Sequence, residues 1–278
     1  MVEFVVTRPD APTGRGRVMT PSPVAEFAAE HDIRVIKTSQ LSDHADEFAG
    51  IDAVVVVAFG AMVPSELLDV PTHGWINLHF SLLPMWRGAA PVQYAILSGD
   101  DHTGVTAFRI DEGLDTGPVL GQVSTDLGSK ETSGELLERL TEYGTTLMLQ
   151  VLDGVESGQV FAAPQSTHNV SHAAKVTKDD AQIVWEHPAL AISRRIRAVT
   201  PAPGAWTMCG EERIKIAPVV LRADVSDLTP GQVLVRDGKV LVGTGTHAVE
   251  LVQIQRPGKT MNEPLSWASS VSAELMFS

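Results

Sequence analysis

The chain of 278 residues carries 21 Lys and Arg against 34 Asp and Glu, a net charge of −13, with 44% hydrophobic residues and one cysteine. That length suits one large domain or, as the better expectation, two ordinary ones, and the lone Cys209 excludes an internal disulfide framework or a thiolate zinc cluster and fits a reducing cytoplasm. The acidic total argues against bulk nonspecific nucleic-acid binding, "AVVVVAFGAMV" (53–63) falls short of the ~18 apolar residues of a membrane span, and "MVEFVVTRPD" reads as too short and too acidic for a signal peptide.

The first two thirds alternate strand-like and helix-like segments, the pattern of an open parallel sheet covered by helices. "VEFVVT" (2–7) is a β-branched run. "SPVAEFAAEHD" (22–32) places Ser22 as N-cap and Pro23 at the first helical position. A short strand, "IRVIKT" (33–38), precedes "IDAVVVVAF" (51–59), which reads as a strand buried on both faces. "WINLH" (75–79) is a further strand, "AAPVQYAILSG" (89–99) a helix, and "TGVTAFRID" (103–111) another strand. Thr132 and Glu135 form a capping box, after which Leu136, Leu140, Tyr143, Leu147 and Val151 recur at helical spacing as a core face.

Regularity fades over 161–179, a linker, and then "HPALAISRRIRAV" (187–199) predicts a helix with Arg194, Arg195 and Arg197 close together. Short strands follow, with Asp237-Gly238 as the two-residue turn of a hairpin over 233–243 and "AVELVQIQ" (248–255) as another strand. The predicted class is α/β: a Rossmann-like open, mostly parallel sheet over residues 1–160, then a small β-barrel or sandwich of OB-like type over 180–278. The charge divides along the same line. Residues 190–278 carry 10 Lys and Arg against 8 Asp and Glu, residues 1–189 carry 11 against 26. Either two solvated surfaces differ in composition, or the C-terminal part meets a polyanion.

Ligands of open parallel sheets bind outside the carboxyl ends of the strands. Asn77 and His79 leave "WINLH" on one face, because side chains at i and i+2 of a strand point the same way. "RIDEGLDTG" adds Asp115 between glycines, so the three side chains can converge. A neutral imidazole beside a carboxylate can accept a proton from an attacking amine, and an amide N–H can donate to a developing oxyanion. Against this stand plainer readings: a structural histidine at a strand end, and an aspartate that merely forms a turn. A Ser-His-Asp set using Ser81 lacks the G-x-S-x-G elbow. The nine histidines fit no metal-ligand spacing, and "GRGR" and "GTGTH" lack dinucleotide-binding spacing.

"INLHFSLLPMWRGAAPVQ" with "GLDTGPVL" resembles the folate-dependent formyltransferases, in which N-x-H is followed by S-L-L-P and later by an Asp in a glycine-flanked loop. "TRPDAPTGRGRVMTPSPV" (7–24) resembles the basic loop of the methionyl-tRNA formyltransferase branch of that family. The resemblance runs from residue 2 to about 260. It implies transfer of formyl from 10-formyltetrahydrofolate, without a metal, to the α-amine of initiator methionyl-tRNA. His79 would accept the proton, Asn77 would stabilise the oxyanion, and Asp115 would orient His79. Ser81, Leu82, Leu83 and Pro84 would hold the folate, its ring in a slot bounded by Phe59, Gly60 and Met62. Arg15 and Arg17 would reach the tRNA acceptor end, with Arg194, Arg195 and Arg197 as further phosphate contacts.

Two departures stand out. Phe80 sits between His79 and Ser81, where many relatives carry something small, and either packs beneath the loop or narrows the folate slot. Relatives also open with a strand, a G-T-P loop and a helix before the segment matching "VEFVVT". A chain opening at that segment is expected to leave a strand edge and apolar neighbours uncovered, and to be a marginally stable monomer unless that uncovered surface drives it to dimerise. Two competing functions remain at this stage: a formyltransferase with another amine acceptor, or an RNA-binding remnant without activity.

Overall fold

The computed structural model describes residues 1–13, 16–270 and 275–278, so Arg15 and the segment 271–274 lie outside the described residues. β1 (Phe4–Thr7) is followed by a hairpin of β2 (Ala11–Thr13) and β3 (Val18–Thr20). Gly16 and Arg17 of the Gly/Arg stretch therefore lead into the second strand of a β-ribbon. α1 (Pro23–Glu30) starts as its sequence dictates: the Ser22 Oγ accepts the Ala25 N–H at 3.2 Å, and Pro23 needs no partner at the first position. β4 (Arg34–Lys37) pairs in parallel with β1. Then come β5 (Val54–Val56), β6 (Trp75–His79), the two-residue β7 (Arg87–Gly88), α2 (Pro91–Ser98), β8 (His102–Arg109) and β9 (Val119–Asp126).

α3 (Ser133–Glu156) carries the expected capping box: the Glu135 carboxylate accepts the Thr132 N–H at 2.9 Å, and Thr132 Oγ1 accepts the Glu135 N–H at 3.3 Å. Leu136, Leu140, Leu147 and Val151 of its apolar row are buried. Tyr143 is 38% exposed, with the Arg139 guanidinium 6.0 Å from its ring, so it edges the row rather than joining the core. The stretch read as a linker is tied down in part, because β10 (His172–Ala173) pairs in parallel with β7.

The C-terminal part holds α4 (Ala189–Ala198), β11 (Trp206–Cys209), β12 (Glu212–Ile216), β13 (Val220–Arg222), β14 (Gln232–Arg236), β15 (Lys239–Val242), β16 (Ala248–Leu251), β17 (Ile254–Gln255), α5 (Leu265–Ser270) and β18 (Leu275–Met276). β14 and β15 form the expected hairpin, with Asp237 (φ 51°) and Gly238 (φ 72°) both left-handed, as a two-residue turn of this hand requires. Two antiparallel sheets result, in the orders β11-β12-β17 and β13-β16-β15-β14-β18. Trp185, Ile192, Ile196, Ile214, Val240 and Val249 fill the core between them. Phe277 stacks on Trp185 and Trp267 at ring separations of 5.5 and 5.7 Å.

The chain divides into two compact units. One comprises residues 1–79, 107–121 and 151–165, the other residues 80–106, 122–150 and 166–278; β8 and β9 give residues to both. In the first unit, Leu41, Phe48, Val63, Leu67 and Trp75 form the core, with Phe4 and Val6 of β1 and Val54 and Val56 of β5 packed on it. In the second, α4 packs on α2, and Thr200, just past α4, accepts hydrogen bonds from the Ser133 hydroxyl (2.8 Å) and the Gly134 N–H (3.0 Å) at the start of α3.

Two expectations about the sheet need correction. The strands of the α/β part do not form one continuous ladder: β1 pairs with β4, and a separate sheet runs β5-β6-β8-β9. Nor is 51–59 a strand buried on both faces. β5 spans three residues at the end of its sheet, and Val55 and Val57 are 42% and 50% exposed. The strand buried on both faces is β8, where every residue from Thr103 to Phe108 is buried because β6 and β9 flank it. Position in the sheet order, not apolar content, decides which strand is covered.

Candidate active site

β6 ends in the two polar residues that interrupt its apolar run. Its alternation turns Trp75, Asn77 and His79 to one face and Ile76 and Leu78 to the other. Trp75 anchors that face by packing on Phe48 (4.9 Å between rings) and donating its indole N–H to the Leu67 carbonyl at 2.7 Å. Asn77 is half-buried, and His79 at the strand terminus is only 6% exposed. The His79 and Phe108 rings lie edge to face, with centroids 6.4 Å apart.

Asp115 reaches His79 from the loop after β8. Its Oδ2 lies 3.7 Å from His79 Nδ1. The loop is shaped by its own residues: the Asp111 carboxylate accepts the Gly113 N–H at 3.0 Å and the Thr116 hydroxyl at 2.6 Å. Gly117 must be glycine, because a Cβ there would lie 1.8 Å from the Arg109 carbonyl oxygen. Asp115 itself takes φ 53°, a left-handed conformation that aspartate tolerates better than most residues. A buried imidazole beside a carboxylate, with an amide two residues back on the same strand face, can accept a proton, balance the charge that follows, and donate to an oxyanion.

Ser81 to Pro84 follow directly in the chain and belong to the other unit. Ser81 is fully buried, its hydroxyl donating to the Met85 carbonyl at 2.5 Å. That commitment removes the Ser-His-Asp alternative, since the hydroxyl faces its own loop. The Thr106 side chain of β8 stitches the loop, donating to the Ser81 carbonyl at 2.6 Å and accepting the Leu83 N–H at 3.1 Å. Gln122 of β9 donates to the Leu83 carbonyl (2.9 Å) and to Thr106 Oγ1 (3.0 Å). Leu83 is buried, while Leu82, Pro84 and Phe80 are half-buried. Of the remaining slot residues, Phe59 packs on the first unit's core, Gly60 is exposed with φ 80°, and Met62 is exposed.

The arginines separate. Arg17 is exposed beside β3, and Arg15 lies outside the described residues. Arg194 is half-buried with its guanidinium packed over Gly99, which ends α2, where a cation suits the helix dipole. Arg195 donates to the Asp180 carbonyl. Arg197 does not fit its expected role as a phosphate contact. It is 6% exposed, its Nη1 donates to the Glu131 carbonyl at 2.9 Å, and a guanidinium closed off from solvent cannot meet an RNA backbone. Burial also pushes its pKa below the usual arginine value.

Thr106 and Gln122 were not singled out from the sequence, whereas Asp111 was legible only as a member of the tight loop that also carries Asp115. The signal of Thr106 and Gln122 is weak there, because a Thr or Gln in a strand reads as an ordinary polar position until the strand order shows which loop it faces. Cys209 is half-buried, and burial pushes its thiol pKa up, away from nucleophilic use. Among the described residues no group of His, Cys, Asp and Glu is arranged to hold a metal, and no helix is long and apolar enough to cross a membrane.

A family profile described as formyl transferase matches residues 1–152, and one described as formyl transferase, C-terminal domain, matches residues 175–272. A methionyl-tRNA formyltransferase of Paenarthrobacter aurescens (strain TC1) is 52% identical over 276 residues, which cover 98% of this chain and 89% of the relative. One from Arthrobacter sp. (strain FB24) is 54% identical over 270 residues, 96% of this chain and 88% of the relative. Among solved structures, HypX from Aquifex aeolicus in complex with tetrahydrofolic acid superposes with a TM-score of 0.68 at 18% identity, over 97% of this chain and 47% of that one. The N-formyltransferase from Helicobacter canadensis, in complex with folinic acid and dTDP-3-aminofucose, gives 0.68 at 17% identity, over 92% of this chain and 100% of that one. At those identities the two structures show a shared fold. The profiles and the relatives at half identity show more: this chain belongs to the formyltransferase family.

Proposed function

We propose that this protein transfers the formyl group of 10-formyltetrahydrofolate to the α-amine of methionine on initiator tRNA, in the cytoplasm, for translation initiation. The observation that carries the chemistry is the buried His79 with Asp115 at 3.7 Å and Asn77 on the same strand face. The acceptor follows from the named relatives at 52% and 54% identity.

The amine nitrogen attacks the formyl carbon while His79 accepts the proton that the nitrogen loses. Asn77 donates to the oxygen that takes up negative charge in the tetrahedral intermediate. Asp115 balances the imidazolium. His79 then returns the proton to the departing folate nitrogen as the carbon–nitrogen bond breaks. No covalent enzyme intermediate and no metal is needed. Ser81, Leu82, Leu83 and Pro84 line the folate site, with Phe59, Gly60 and Met62 bounding the slot for its ring. On the RNA side, Arg15 and Arg17 are assigned to the tRNA acceptor end, Arg17 being exposed beside β3, and Arg194 and Arg195 retain part of their surface for phosphate. We read residues 1–160 as a Rossmann-like catalytic domain, 161–179 as the connection, and 180–278 as an OB-like domain that lies along the tRNA.

The test mixes purified protein with 10-formyltetrahydrofolate and methionylated initiator tRNA and analyses the tRNA-bound amino acid. Formylmethionine, abolished by His79→Ala, is the expected product. A folded protein that gives none, or that prefers a free amino sugar to the aminoacyl-tRNA, defeats the reading.

A further inference from the structure

Gln165 lies in the polar stretch that connects the two halves of the sequence, where nothing in composition or spacing marks it. In the fold its half-buried side chain reaches the Asp115 loop and spends both amide hydrogens there. Nε2 donates to the Asp115 carbonyl at 2.8 Å and to the Gly117 carbonyl at 2.8 Å. From these contacts we infer that Gln165 is a positioning residue for the reaction, fixing the backbone frame from which the Asp115 carboxylate meets His79. The inference rests on the proposed formyl transfer.

Asp111 and Gln165 hold different groups of this loop. Asp111 ties the Gly113 N–H and the Thr116 hydroxyl, which shapes the turn around residues 112–116. The carbonyls of Asp115 and Gly117 are not among the groups that Asp111 holds. The Asp115 carbonyl direction is set by ψ at the same Cα that carries the carboxylate, so a donor holding that carbonyl restrains the side chain's origin. The restraint matters because Asp115 has φ 53°, and a non-glycine residue in that region stays there only when its surroundings hold it. It matters also because the carboxylate stands 3.7 Å from Nδ1, so a small tilt of the loop breaks the approach. Misplacing a catalytic group by about 1 Å can cost roughly 10²-fold in rate.

The experiment compares wild type, Gln165→Ala and Gln165→Glu in steady-state formyl transfer, each also in an Asp115→Ala background, with circular dichroism and thermal melts as folding controls. Gln165→Ala is expected to lower kcat by about 10-fold to 10²-fold, with KM for folate and for methionyl-tRNA within about two-fold of wild type, as for a loss confined to the transition state. Gln165→Glu, the same shape with oxygen in place of the donating nitrogen, is expected to be worse than Ala because it sets an acceptor against two carbonyls. In the Asp115→Ala background neither substitution should lower kcat further, since the group being positioned is gone. A change carried by KM, a kcat within two-fold of wild type, a harmless Glu, or a loss that multiplies independently with Asp115→Ala overturns the inference. So does unfolding of both variants, which makes Gln165 a fold residue. A wild-type protein without activity defeats the proposed function instead, and the two failures are thereby separate.

Discussion

Two loops follow the strands that bear the candidate residues, and they are held in different ways. The loop after β6 is fixed from the interior: Thr106, fully buried on β8, takes the Ser81 carbonyl and the Leu83 N–H, and Gln122 completes the clamp. The loop after β8 is half-exposed and held by its own Asp111 and by Gln165 from a connecting segment. A loop stitched to a buried strand cannot change shape without exposing unpaired polar groups, so its form is part of the fold's stability. A loop held by polar bonds near the surface can shift with little loss of fold. Substitutions in the first should appear in melting and folate affinity, and those in the second in turnover.

The largest effects should come from the reacting groups. His79→Ala is expected to lower kcat by about 10²-fold to 10⁴-fold and Asn77→Ala by about 10²-fold to 10³-fold, with melting temperatures close to wild type; single-turnover formyl transfer measures both. If either loss lies wholly in KM, the residue binds substrate and does not act in the transition state.

Thr106→Val sharpens the comparison next. It keeps the shape and removes the hydroxyl, leaving the buried Leu83 N–H without its acceptor. The cost is about 1–3 kcal/mol for an unmet buried donor, read as a lower urea midpoint, with a raised KM for folate. Asp111→Ala, which strips the other loop of two bonds near solvent, should cost about 1 kcal/mol or less in the same measurement while lowering kcat. Equal destabilisation by the two would erase the distinction. The smallest effect to seek is in hydrogen exchange of the wild-type protein. The Leu83 amide, bonded to a buried hydroxyl, should exchange more slowly than the Gly113 amide, bonded to a half-exposed carboxylate.

Much of the site was legible because it is written locally. Asn77 and His79 sit two apart on a strand, so their common face follows from the strand period alone, and Ser22 and Thr132 cap their helices through atoms at most three residues away. Asp115 was legible as a glycine-flanked aspartate in a turn, but its approach to His79 spans 36 positions and exists only once β6 and β8 are neighbours in a sheet. Arg197 shows the opposite failure. Its spacing on α4 matches that of solvated arginines, and only the packing of the helix shows that its guanidinium is enclosed.

The sequence by itself determined the alternation of strands and helices, their caps and hairpin turn, and the residue types at the site, because each rests on dihedral preference or periodicity within a few residues. Tertiary structure alone decided that the β1–β4 pair stands apart from the four-stranded sheet, that β8 rather than the valine-rich β5 is enclosed, and that Thr106, Gln122 and Gln165 hold the two loops. Burial and long-range hydrogen bonding are properties of which elements become neighbours. A valine exposed at the end of a sheet and a threonine buried in its middle are assigned by that arrangement, not by their own chemistry.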